Sequence, residues 1–318
     1  MKKYKILWID DQWEELSSFK DLCELVHDIE VVPCRYAVDG MKLFEAQLQL
    51  WSAVVLDAKV LMNTDNEVAG LKGLQHSVNR IHELSLKRYV PTFILTGQPD
   101  LFSNETFSEV YGKFYEKAKD EEQLIQDIKQ AADQLVVTQI RKKYGNILEI
   151  WPERESEIIN ILTTIELGNN NNCTCLNEIR KMLEDVMERI SQSGLLLVNY
   201  TSTNLAECSR FLGQRWLQVL IPIYIQRSIH SCVEICNPGS HRTEIEMAIK
   251  EGRAPYVLNS TVFELLNILY WCKNLEKLPS KEEVNLMVRG LKAKYDEDKS
   301  KRNDSDVASS KNESKESE

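Results

Sequence analysis

Five short apolar runs lie between residues 4 and 117, and four of them stop abruptly at or next to a polar residue: Asp10, Asp57, Thr96 and Lys117. Uninterrupted apolar runs of this length, bounded by turn residues, are the mark of strands buried on both faces. The segments between them change period. Across 12–26, Leu16, Phe19, Leu22, Cys23 and Val26 fall at three- and four-residue steps, a helical stripe. Alternation of this kind predicts an α/β domain, a doubly wound five-stranded parallel sheet. Strands are expected at 4–9, 31–36, 53–56, 92–95 and 113–115, and helices at 12–26, 41–50 and 71–84. A further helix over 120–144 is longer than one domain face needs and reads as a connecting or dimerising element.

The chain has 318 residues, room for a second domain. From Glu153 onward strand alternation is lacking, and helical stretches at 153–167, 174–193, 203–221, 223–236, 260–275 and 280–294 are separated by Gly, Asn and Pro punctuation. Ser280 with Glu283 forms a capping-box pattern. The expected organisation is an α/β domain with an extended last helix over 1–150, bounded at Trp151-Pro152, then an all-α helical domain over 151–295. Residues 296–318 hold only Val307 and Ala308 as apolar side chains, and form a polar tail expected to stay disordered.

Composition narrows the function classes. The longest apolar stretch falls far short of the roughly 18 residues that span a bilayer, and the N-terminal Ile6 to Ile9 run is cut by Asp10-Asp11, unlike a signal peptide. A cytoplasmic protein without membrane attachment is expected. Eight cysteines are scattered rather than dense, so reduced thiols are expected. A net charge of −10 argues against nucleic acid held by bulk electrostatics.

In doubly wound sheets, ligands gather outside the carboxyl ends of the strands. Asp10 and Asp11 end the first strand and Asp57 the third. If these strands are neighbours, the carboxylates converge and require a cation, for which Mg2+, hard and oxygen-seeking, is suited. Thr96 and Lys117, ending the fourth and fifth strands, would complete an anion pocket.

The ordered set Ile6-Leu7-Trp8-Ile9-Asp10-Asp11, Val54-Val55-Leu56-Asp57-Ala58, Ile94-Leu95-Thr96-Gly97 and Phe114-Tyr115-Glu116-Lys117 resembles the receiver domain of two-component response regulators over roughly residues 1–135. The resemblance implies that Asp57 is the phosphoacceptor, taking a phosphoryl group from a sensor histidine kinase or phosphotransfer protein. It implies Mg2+ held by Asp10, Asp11, Asp57 and the backbone carbonyl of Lys59. Thr96 and Lys117 would contact the phosphoryl oxygens, and Phe114 stands at the family's aromatic switch position. No enzymatic activity beyond gain and loss of that phosphoryl group is implied. Two departures stand out: Ala118 follows Lys117 where the family has a proline, and residues 59–73 look about nine residues longer than the usual turn. The insertion keeps a pseudo-receiver adaptor, not phosphorylated, as an alternative.

For the helical domain the expectation is an output module working by protein interaction, through an unidentified protein target or a homodimer. DNA binding would fall to the last helix, with Arg289, Lys292 and Lys294, but acidic neighbours on both sides weigh against it. The segment around Asn237, Pro238, Gly239, Ser240 and His241 resembles helical bundles of the HEPN-like type, which leaves a receiver-gated RNase as an alternative. Asn237 and His241 are the candidate residues there, although Arg227 and His230 stand too close in sequence for that family's pairing. Cys232, Cys236, His241, Cys173 and Cys175 fit no paired zinc spacing, so buried thiols are expected. Trp216, Tyr224, Phe263, Tyr270 and Trp271 are expected in the core.

Overall fold

A computed structural model describes residues 2–85, 87–98, 111, 113–169, 172–197, 200–237 and 242–313, with side chains described as far as Lys301. The chain divides into two compact units, Met1–Glu166 and Leu167–Glu318.

In the first unit, strands β1 (Tyr4–Ile9), β2 (Ile29–Cys34), β3 (Ala53–Asp57), β4 (Thr92–Thr96) and β5 (Phe114–Glu116) form one sheet in the order β2-β1-β3-β4-β5. All pairs are parallel, with Ile9 against Leu56 and Asp57 against Leu95. This is the flavodoxin-like doubly wound order, which places a crevice where the chain reverses between β1 and β3. Both faces are apolar because both are covered. Leu7, Ile9, Val54, Leu56 and Ile94 pack against α2 (Ala37–Ala46) and α3 (Leu71–Ser85) through Met41, Phe44, Leu74 and Ile81. On the other face Ile6, Trp8, Val55 and Leu95 meet Phe19, Cys23, Leu124 and Ile128. These come from α1 (Ser17–Asp21), which widens into a π-helical turn (Leu22–Val26), and from α4 (Glu121–Ala132).

The single helix expected over 120–144 is two. Chain direction changes at 133–135, where Leu135 is extended (φ −83, ψ 134), and α5 (Val136–Ile150) begins. The Asp133 carboxylate accepts from Tyr4 Oη at 2.8 Å and from Lys142 Nζ at 2.7 Å, holding the corner between the two helices. After a 3-10 turn (Pro152–Arg154), α6 (Glu155–Glu166) packs back on α5. The expected boundary at Trp151-Pro152 therefore falls inside the first unit. Arg141, 3% exposed, donates to Leu50 O at 2.7 Å and to Glu155 Oε1 at 2.9 Å, so α6 is tied to the segment that leads into β3. Trp151 is buried rather than in a linker.

The second unit is all-α: α7 (Cys175–Gln192), α8 (Leu205–Leu212), a 3-10 turn (Arg215–Val219), α9 (Ile223–Cys236), α10 (Arg242–Lys250), α11 (Val257–Trp271), a 3-10 turn (Cys272–Lys277) and α12 (Lys281–Glu313). At its centre α9 packs against α7, α8 and α11. Two expectations are corrected. The helix expected over 203–221 is interrupted at Gly213, and α10 occupies residues read as a connection. Helix α10 buries only Ile249, so its apolar stripe is weak, and Arg242 supports it by pairing with Glu246 at 2.7 Å and reaching Cys236 O. Helix α12 spans Lys281–Glu313, and within it Glu297 and Lys301 form an i,i+4 pair. Residues 314–318 lie outside the described residues. The Ser280 and Glu283 capping box is formed, with Glu283 Oε2 accepting from Ser280 N at 3.0 Å.

Among the aromatic side chains expected in the core, Trp271 is buried, Trp216 half-buried, and Tyr224, Phe263 and Tyr270 are exposed. Among the described residues no helix is long and apolar enough to cross a membrane.

Candidate functional site

Strands β1 and β3 are adjacent, so the residues that end them are brought together. Asp10, fully buried, follows β1, and Asp57, 5% exposed, closes β3. With half-buried Asp11 they each place a carboxylate oxygen within 4.8 Å of the others. Lys117, just past β5, reaches across β4 to the pair: its Nζ stands 2.8 Å from Asp10 Oδ2 and 3.1 Å from Asp57 Oδ2. Thr96 at the end of β4 is 2% exposed, and its hydroxyl oxygen accepts from Gln98 N at 3.2 Å.

Three carboxylates around one ammonium leave the cluster short of positive charge. Burial, and then the neighbouring Asp10 carboxylate, push the Asp57 carboxyl up from 3.8 to about 7, against the opposing pull of Lys117 and the Lys59 backbone N–H. Asp11 is raised by burial and by Asp10. For Lys117 burial disfavours the charged form, but the carboxylates of Asp57 and Asp10 outweigh it and the ammonium is held more firmly than usual. Asp10 Oδ1 accepts from Gln12 N at 2.9 Å, whereas Oδ2 has only the ammonium beside it. A hard, all-oxygen donor set with surplus negative charge and an under-partnered buried oxygen fits Mg2+.

The cluster opens on a cavity of about 560 Å³ lined by Asp11, Gln12, Asp57, Thr96 and Lys117, with Val68 and Ala69 on another part of its wall. Lys59 and Gln98 also line it, and the Lys59 Nζ donates to Gln98 Oε1 at 2.6 Å. The 59–70 segment is an ordered loop. Val60 bridges to Gly70 and Leu61 to Tyr36, while the Glu67 carboxylate accepts from the backbone N–H groups of Met62 and Asn63. Asp65 takes the Tyr36 hydroxyl at 2.9 Å and the Arg35 guanidinium at 3.0 Å, which ties the loop to the start of α2. Close approach of α3 to this loop needs Gly73, where a Cβ would stand 2.6 Å from Val60 O.

Ala118, where the sequence suggests a different loop, has φ +62 and donates its N–H to Glu121 Oε1 at 3.0 Å; cis peptide bonds are absent among the described residues. Phe114 is half-buried on the edge of the core that α2 and α3 share. Gln12 and Gln98 were not singled out from the sequence, although each stands two residues beyond a strand-ending Asp or Thr and donates its backbone N–H to that side chain.

Asn237 is the extended residue that ends α9, and His241 lies outside the described residues, as do 238–240. The eight cysteines are free and seven are buried. Burial pushes the thiols of Cys175 and Cys236 up to about 12, and that of Cys232 well above its ordinary value, as expected of packed thiols rather than metal ligands.

Fold and site together define a doubly wound α/β domain carrying an acidic cluster and a lysine at its strand ends, followed by an all-α domain. No protein-family model matches the sequence, and no curated protein matches it. Among solved structures the chain is similar to the crystal structure of a response regulator receiver domain protein from Clostridium thermocellum, with 23% identity, a TM-score of 0.32, and coverage of 41% of this chain and 95% of that one. None of these findings bears on the HEPN-like resemblance.

Proposed function

We propose that the first unit is a receiver that accepts a phosphoryl group on Asp57, and that its phosphorylation state controls the helical unit. The observation that supports this reading is Lys117 Nζ shared between Asp10 and Asp57, beside a buried Thr96 hydroxyl and an open cavity. An Asp57 carboxylate oxygen attacks the phosphorus of a phosphohistidine on a partner kinase or phosphotransfer protein. As the O–P bond forms the N–P bond breaks, and the electron pair leaves with the imidazole, which takes a proton from solvent. Lys117 moves from the two carboxylates onto the phosphoryl oxygens, and the Thr96 hydroxyl donates to another of them. Mg2+, held by Asp10, Asp11, Asp57 and the Lys59 carbonyl, would neutralise charge on the transferring group.

An acyl phosphate adds a near-dianion where the cluster already lacks positive charge, so Lys117 and Thr96 are drawn toward it. That displacement is the signal available to β4 and β5. The helical unit then acts by protein interaction or dimerisation, a reading favoured by its exposed Tyr224, Tyr256, Phe263 and Tyr270. The test is intact mass after incubation with Mg2+ and a small phosphodonor. A gain of one phosphate is expected in the parent protein and none in Asp57→Asn; an unchanged parent mass would leave the adaptor reading in its place.

A further inference from the structure

In the second unit a cleft of about 520 Å³ opens between α8 and α9, within the size range of small-molecule sites. It is lined by Ser209 and Arg210 from α8 and by Ile223, Arg227, His230 and Glu234 from α9, four residues at helical spacing. Three features distinguish it from an accidental groove. The first is charge. Neither the Arg210 nor the Arg227 guanidinium has an ion pair or hydrogen bond among the described residues, whereas Arg141 and Arg242 are fully engaged. The second is a polar contact between the two helices, continued along α9. Ser209, 2% exposed, shares a hydrogen bond with His230 Nδ1 at 3.1 Å, and His230 Nε2 is held by Glu234 Oε1 at 3.2 Å. The third is a rigid wall: the buried Gln226 amide donates to Leu212 O at 2.8 Å and to Gln214 O at 3.2 Å, fixing the end of α8 against α9.

The geometry points to this cleft as the binding site of a small phosphate monoester with an apolar body. The two guanidiniums without partners outweigh the single carboxylate of Glu234, so the cleft favours an anion, and their paired N–H forks suit the several oxygens of a phosphoryl group better than the two of a carboxylate. Ile223, 43% exposed, gives the apolar part of the ligand a surface to cover. The inference rests on the second unit alone and stands or falls separately from phosphorylation of Asp57.

Isothermal titration of the full chain in EDTA, with phenyl phosphate, benzoate and benzyl alcohol as probes, tests it. Phenyl phosphate is expected to bind saturably at millimolar concentration or below, benzoate more weakly, and benzyl alcohol not at all. Arg210→Gln and Arg227→Gln are each expected to weaken phenyl phosphate by about tenfold or more, the loss of one charged hydrogen-bonding group. Because both guanidiniums lack partners, neither change removes an interaction of the fold. Arg289→Gln, on exposed α12 surface outside the cleft, should bind as the parent does. The proposal is overturned if phenyl phosphate fails to saturate, if benzyl alcohol binds equally well, or if binding survives both arginine changes. Survival would place the anion elsewhere, for example beside Lys117.

Discussion

Asp57 shows how one buried carboxyl can be poised by its neighbours. With its folded-state value near 7 against 3.8 for the ordinary group, the metal-free native protein holds a proton that the unfolded chain has already released between those pH values. Its contribution to stability is therefore present below about pH 4 and lost as pH rises through about 7. Asp57→Asn, which never ionises, should be more stable than the parent in EDTA at about pH 8, on the order of 2 kcal/mol, and level with it near pH 4. Thermal melts at the two pH values decide it; equal stability at both would mean that Lys117 balances the charge unaided. Ala118 carries a different kind of strain. A left-handed alanine costs about 1–2 kcal/mol, of which glycine's greater unfolded-state freedom offsets about 0.5–1. Ala118→Gly should thus stabilise by about 0.5 kcal/mol in denaturant titration, and a loss of stability would show that the Ala118 methyl is packed rather than strained.

At the scale of elements, the arrangement of α5 and α6 depends on one buried arginine. Arg141 joins Leu50 O, ahead of β3, to Glu155, the first residue of α6. Arg141→Ala should cost about 3 kcal/mol, because it leaves Glu155 with only Lys5, 3.9 Å away, and Leu50 O without this donor. The companion change Glu155→Ala made on top of it should cost less than the sum of the two alone, a coupling that urea melts of the four proteins would measure. If the costs simply add, the pair does not organise the unit. Here lies the limit of what could be read from residues. The five strands and the convergence of Asp10, Asp11, Asp57, Thr96 and Lys117 were legible because buried parallel strands are plain apolar runs, and their ends are marked by the first polar residue. The break at 133–135 and the docking of α6 were not. Each is made by partners distant in sequence, Tyr4 with Asp133 and Leu50 with Arg141, and no local pattern records such a pairing. The exposed Phe263 and Tyr270 were misread for a related reason, since α11 has apolar residues around most of its circumference and periodicity cannot say which face meets α9.

On the scale of the whole molecule, the division into two compact units makes the proposed effects of metal and of phosphorylation separable by experiment. If Mg2+ is held by Asp10, Asp11 and Asp57 as proposed, it would stabilise the native state by mass action, about 1.4 kcal/mol at ten times its dissociation constant. That gain belongs to the unit that contains the ligands. Hydrogen exchange followed by mass spectrometry should therefore show slower exchange near residues 8–12 and 54–60 when Mg2+ is added, and no change over 172–197 or 223–236. Phosphorylation of Asp57 is expected to do more. Control of the helical unit requires a difference in free energy between its states, and that difference must appear as altered exchange in its helices when phosphorylated and unphosphorylated proteins are compared in the same Mg2+. Asp57→Asn treated with the phosphodonor provides the baseline for the reagent itself. Exchange that changes in the helices with Mg2+ alone would transfer the switch from the phosphoryl group to the metal. Helices that respond to neither would mean that the second unit acts independently of the first.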